Sequence, residues 1–203
     1  MKKLLSLILF SILSISFYSC DDKEDIKPLV EDKLLKVSNI ITLKRTAPVG
    51  QFFSTLNFGV YDYETTKKYN WDYGLISNII DFGYFYSSSS YHCLASPSSS
   101  IYYNYIKNKR ETIFKYTIQS TDNLSYFNNI NKNSQLDSSF INPPIILNGF
   151  IDYSGEVIRN LKSGQIILLE TSNNKKSIIY IDSVNHTNNS DNTFIKFKIK
   201  TQE

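Results

Sequence analysis

Residues 165–200 decide the fold: QIILLET (165–171), a turn at Ser172-Asn173-Asn174-Lys175, KSIIYIDSV (176–184), a polar loop over 185–192, and TFIKFKIK (193–200). The first two apolar segments, joined by four turn-forming residues, read as a hairpin. In the third, Ile195, Phe197 and Ile199 fall on one face and Lys196, Lys198 and Lys200 on the other, because side chains alternate along a strand. An apolar face opposite a solvated one is the pattern of an antiparallel sheet. A C-terminal three-stranded meander is therefore expected, with the lysines in water.

Outward from there, β-signals dominate. IIDFGYFY (79–86) is aromatic and β-branched; serines at 87–90 interrupt it, and YHCLA (91–95) resumes as a buried strand. KVSNIITL (36–43) is a candidate first strand, with 51–55 and 58–63 flanking the turn residues Asn57 and Gly59. Helical signals are fewer. Residues 98–110 read as a short helix capped by serine after Pro97, and 121–140 as another with Leu124, Phe127 and Ile130 at helical spacing, ended by Asn142-Pro143-Pro144. Residues 65–78 fit a loop or a short helix equally. The expected class is mainly β with short helices (α+β as the variant), its antiparallel sheets arranged as a sandwich or a partly open barrel.

Removing the first 19 of 203 residues leaves 184, the size of one domain. Met1-Lys2-Lys3 is a positive n-region, residues 4–18 are apolar, and Ser19 is a small residue before Cys20, the layout of a secretory signal. Phe17-Tyr18-Ser19-Cys20 resembles the lipobox of bacterial lipoproteins, in which the cysteine thiol carries a diacylglycerol and the new amino terminus is acylated. Phe17 and Tyr18 replace the family's aliphatic and small residues, so the resemblance rests on Ser19, Cys20 and the leader. It implies a membrane anchor at Cys20, since two or more acyl chains hold stably where one does not.

The run Asp21-Asp22-Lys23-Glu24-Asp25 is similar to the surface-export signal of Bacteroidota lipoproteins, and residues 20–33 read as an acidic tether ahead of one β-rich domain over 34–203. Lysine outnumbers arginine 19 to 3, and Ile, Asn, Tyr and Ser abound, as an AT-rich genome would encode. Gly50-Gln51-Phe52-Phe53-Ser54, residues 80–86, Leu94-Ala95-Ser96-Pro97 and residues 158–167 look like segments of uncharacterised Bacteroidota lipoproteins. That resemblance implies a shared fold and an outer-membrane, surface-facing location; it brings no activity.

Other classes are poorly supported. Without Lys2 and Lys3 the chain has 20 basic and 19 acidic side chains, no profile for nucleic acid. No stretch after residue 20 is apolar for the roughly 18 residues a span needs. With Cys20 lipidated, Cys93 has no disulfide partner, and on a strand it faces away from His92. General acid–base chemistry needs a positioned base, and the chain offers two histidines, His92 and His186, and the carboxylates Asp81, Asp152 and Asp182. An enzyme is not expected, nor a metal or other cofactor: histidine and cysteine lack zinc spacing, and residues 188–192 lack EF-hand order.

Binding is the favoured activity. Tyr61 and Tyr63 share a face if extended, as do Tyr69, Trp71 and Tyr73, and flat aromatic rings stack on sugar faces. The expectation is a lipid-anchored module that binds a ligand or glycan through these residues. The alternative is an accessory subunit packing against another envelope protein.

Overall fold

Segments rich in β-branched and aromatic residues form the strands of a computed structural model, which describes residues 31–44, 51–62, 78–87, 91–102, 110–147, 150–185 and 192–203. Strands β1 (Lys36–Val37), β2 (Ile41–Lys44), β3 (Phe52–Phe53), β4 (Val60–Tyr61), β5 (Phe82–Ser87) and β6 (Tyr91–Ala95) lead through a 3-10 turn at Ser100–Tyr102 to β7 (Thr112–Gln119). Helices α1 (Asn123–Asn129) and α2 (Asn133–Ile141) follow, then β8 (Ile145–Ile146), β9 (Val157–Ile158), β10 (Ile166–Thr171), β11 (Lys176–Asn185) and β12 (Phe194–Thr201). The strands make two antiparallel sheets. One runs β1-β12-β11-β10-β7-β8 with β2 also on β12, the other β4-β3-β5-β6-β9. This is a sandwich, mainly β with two short helices, and among the described residues neither sheet closes into a barrel.

The expected meander is present as β10, β11 and β12, with Asn174 at φ +57 in the hairpin turn. Ile195, Phe197 and Ile199 are fully buried between the sheets beside Ile167, Leu169, Ile179 and Ile181. Aromatic rings join the two layers: Phe197 meets Phe53 at 5.4 Å edge-on and Phe82 at 5.8 Å. Such pairs add about 0.5–1.5 kcal/mol each beyond burial. The large sheet is also covered on its outer face, where α1 and α2 pack Phe127 and Leu136 onto Ile166, Leu168 and Ile178. The outer face of the small sheet carries a third cluster with Phe52, Cys93 and Tyr102. Gly83 belongs there for a steric reason: a Cβ on it would lie 2.6 Å from the Tyr102 hydroxyl.

Four expectations need correction. The strand expected over 36–43 is broken into β1 and β2. Val37 pairs Lys200 and Ile41 pairs Phe197, so one extra residue bulges between them, and the Ser38 hydroxyl accepts the Ile199 N–H across the gap. The helix expected over 98–110 is, in its described part, only the turn at Ser100–Tyr102. The helix expected over 121–140 is two. Residues 33–35 draw 131–133 into extended pairing, with Leu35 N–H donating to Asn131 O and Asn133 N–H to Lys33 O, and this ends the first helix.

The fourth correction is Lys200, which is buried rather than solvated. Its Nζ donates to Phe127 O (2.8 Å), Asn128 O (3.1 Å), Ile130 O (2.8 Å) and Asn131 Oδ1 (2.8 Å), and lies 4.8 Å from the Phe127 ring centroid. It thereby gathers the last carbonyls of α1, of which Phe127 O also accepts the Ile130 N–H at 3.3 Å. Burial pulls this ammonium below the usual lysine range.

Candidate functional site

The loop 160–165 (NLKSGQ) carries a buried apolar residue between turn-forming ones, and each side chain is fixed differently. Asn160, at φ +54, turns the chain after β9, a left-handed conformation that asparagine tolerates. Leu161 then drops into the sandwich core, and its N–H donates to His92 O at 3.1 Å. Lys162 and Ser163 stand exposed at the tip. Gly164, at φ +81, turns back so that its N–H reaches Ile181 O at 2.7 Å, while its carbonyl accepts from Asn123 Nδ2 at 2.8 Å.

The docking partner of this loop is a β-bulge. In β11 the register shifts between Ile181 and Ser183, leaving Asp182 as the extra residue. Side chains on either side therefore keep facing inward, Ile181 into the core and Val184 against its margin. The bulged strand presents Val184 N–H to Ser163 Oγ at 3.2 Å. Bulges often re-aim strands next to binding sites in this way.

Two lobes flank the loop. The first, about 660 Å³, is lined by His92, Phe150, Asn160, Leu161, Lys162, Ser163 and Val184. The second, about 770 Å³, lies against residues 120–124, Leu147, Tyr180 and Gln165, and shares Phe150, Lys162 and Ser163 with the first. The loop is thus the rib of a two-lobed groove, of a size that suits small ligands. At its floor His92 Nδ1 is 2.6 Å from the Tyr84 hydroxyl, and the Tyr86 ring lies 5.0 Å from the imidazole. Lys162 Nζ is 6.0 Å from the Phe150 ring centroid.

Of the described residues singled out from sequence for chemistry or binding, His92 lines the first lobe and the others line neither. Tyr61 is half-buried on β4, packed against the outer cluster of the small sheet, and its hydroxyl accepts from Asn57 Nδ2 at 2.7 Å. Cys20, Tyr63, Tyr69, Trp71, Tyr73, His186 and most of 188–192 lie outside the described residues. Cys93 and His92 occupy opposite faces of β6, as alternation requires, and burial pushes the Cys93 thiol up to about 11 against the pull of Arg159. Among the described residues no cluster of three or more His, Cys, Asp and Glu side chains is placed to hold a metal, and no helix is long and apolar enough to cross a membrane.

The three carboxylates have separate local roles. Asp81 is fully buried, where Oδ2 accepts from Thr55 N–H and Oγ1 at 2.7 Å each and Oδ1 lies 3.3 Å from Arg110 Nη2. Desolvation raises its carboxyl above the ordinary aspartate value, and Thr55 and Arg110 oppose that rise. Asp152 accepts from Ser154 Oγ and Val157 N–H in the turn before β9. Asp182 is exposed on the β11 bulge.

No protein-family model matches the sequence, and no curated protein matches it either. Among solved structures, the chain is similar to a DUF4466 family protein from Parabacteroides merdae, with a TM-score of 0.51 and 16% identity over 83% of this chain and 54% of that one. The chain thus spans about half the length of that protein, and at this identity the likeness concerns the fold alone. The neighbour comes from a Bacteroidota species, in line with the resemblance noted in the sequence.

Proposed function

We propose that this chain is a lipid-anchored envelope lipoprotein whose β-sandwich binds a small amphipathic ligand, foremost a glycan, in the groove beside residues 160–165. The observation that carries this reading is the groove itself: two lobes joined across Phe150, Lys162 and Ser163. Phe150 and Tyr180 offer rings to apolar sugar faces, while Asn123, Asn160 and Ser163 offer amides and a hydroxyl to sugar oxygens. Acylated Cys20 would tether the module to the outer membrane, facing the surface; the leader and the acidic run after it support this placement.

A glycan array probed with the full chain in detergent, beside its Ser163→Trp variant, tests the binding. Ser163 is exposed, so an indole there fills the groove without entering the core. Glycans retained by the wild type and lost by the variant are expected; no retention, or retention that the variant leaves unchanged, defeats the reading. Protease shaving of intact cells, with mass spectrometry of the N-terminal peptide, tests lipid and sidedness together.

One feature favours an accessory-subunit reading beside this one. Ile141, Ile145 and Ile146 are exposed around β8, the edge of the large sheet, where another protein could cover them. Crosslinking on intact cells that returns only monomer would count against it.

A further inference from the structure

Resting on the groove reading above, we infer that its ligand is an acidic sugar whose carboxylate is held by Lys162. The first lobe is lined by one lysine and no carboxylate. Among the described residues no acidic side chain pairs with Lys162, so an anion reaching it displaces only water. The nearest polar neighbours present hydrogens rather than lone pairs. Ser163 Oγ already accepts the Val184 N–H, which leaves its O–H to donate.

Gln165 points the same way. Lys162 N–H donates to Gln165 Oε1 at 3.2 Å, and since an N–H needs an oxygen opposite it, that contact fixes the orientation of the amide. The Nε2 group is then a donor with no protein acceptor, on a side chain 6% exposed that lines the second lobe. A buried donor left in that state is costly, and a ligand oxygen relieves it. Lys162 N–H donates to Gln165 Oε1 and Gln165 N–H to Lys162 O, which closes residues 162–165 into a tight turn on the rib.

The one carboxylate on the second lobe, Asp122, accepts Ser125 N–H on Oδ1 and Ser125 O–H on Oδ2. It caps α1 and stays ionised there, so the first lobe, with Lys162 and no carboxylate, is the cationic one. A sugar acid fits this division: its carboxylate meets Lys162, its ring lies against Phe150, and its hydroxyls reach Ser163 and Asn160.

The test is calorimetric titration of the full chain in detergent with a galacturonate oligosaccharide and with the same oligosaccharide methyl-esterified. Esterification removes the charge and keeps the rings. The acid should bind roughly ten- to a hundredfold more tightly than the ester, the worth of one charge-assisted hydrogen bond. Lys162→Met should abolish that preference, so that acid and ester bind alike, while the melting temperature stays that of the wild type because residue 162 is exposed. Equal binding of both forms, lost together in Ser163→Trp, overturns the acidic ligand and leaves the groove reading standing. Acid binding that survives both substitutions overturns both. Binding of neither form overturns the acidic ligand, and the glycan array then decides the groove separately.

Discussion

Replacing Lys200 by methionine keeps the apolar stem and removes the ammonium that closes α1. Four oxygen acceptors lose the ammonium; of the two in buried contacts, Phe127 O keeps the Ile130 N–H at 3.3 Å, while Ile130 O is orphaned. Hydrogen bonds to a charged group contribute about 1.5–3 kcal/mol each, and an orphaned buried carbonyl costs about 1–3 kcal/mol. Against this stands the desolvation of the ammonium, which the substitution relieves and which burial already registers as a lowered pKa. The charged bond lost at Phe127 O and the orphaned Ile130 O, less that relief, give about 3 kcal/mol. For a domain of this size, that lowers Tm by about 6–12 °C. Differential scanning fluorimetry and urea titration of the full chain in detergent measure it, with Lys198→Met, half-buried on the same strand, as the control expected within about 0.5 kcal/mol. If Lys200→Met is as mild as the control, the carbonyl cage contributes nothing and the account of why Lys200 is buried is wrong.

Three further outcomes are expected. Asp81 holds its proton above the ordinary aspartate value of 3.8, so its contribution to stability is fully present below 3.8 and is lost as pH rises through the raised folded value; acidification from neutral should therefore favour the wild type relative to Asp81→Asn in urea titrations, and a constant gap refutes it. Gly83→Ala forces a methyl into the Tyr102 hydroxyl and the Phe52 ring, for about 1–3 kcal/mol of destabilisation in the same titration. Cys20→Ala should shift the protein from the membrane to the soluble fraction and remove the acylated N-terminal peptide from its mass spectrum; unchanged partitioning refutes the anchor.

Much of the sandwich was legible because its signals are local. Phe194–Thr201 alternates with a period of two over eight residues, and Ser172 to Lys175 supplies turn residues between two apolar runs. Strand β7 was not legible, although it lies within the large sheet. Opposite Leu168 and Leu169 it carries Tyr116 and Phe114, with Lys115 as the extra residue. That bulge flips the faces: Phe114 points between the sheets, while Tyr116 and Ile118 point toward the helices. A period-two search sees two interrupted patterns where one strand exists. Lys200 misled for a related reason, since its place in the alternation predicts water and only the end of α1 explains its burial. The groove was hidden more deeply. Lys162, Ser163 and Gly164 read as an ordinary turn, and nothing local says that they dock on the Asp182 bulge.

That docking bears on how tightly the groove can bind. A loop ordered only on contact with its ligand loses conformational freedom at that moment, which subtracts from affinity. Here the ordering is already complete. Leu161 is seated in the core, Gly164 and Ser163 are bonded to β11, and Asn123 reaches across from α1. These anchors come from both sheets and from the helical layer. β10 and β11 in turn are buried on both faces, which makes them a stiff base for the loop. The backbone and the Ser163 hydroxyl at the tip are therefore held in place before any ligand arrives. On the reading proposed above, a rib fixed in this way between two lobes would select a ligand by shape and charge rather than enclose one by closure.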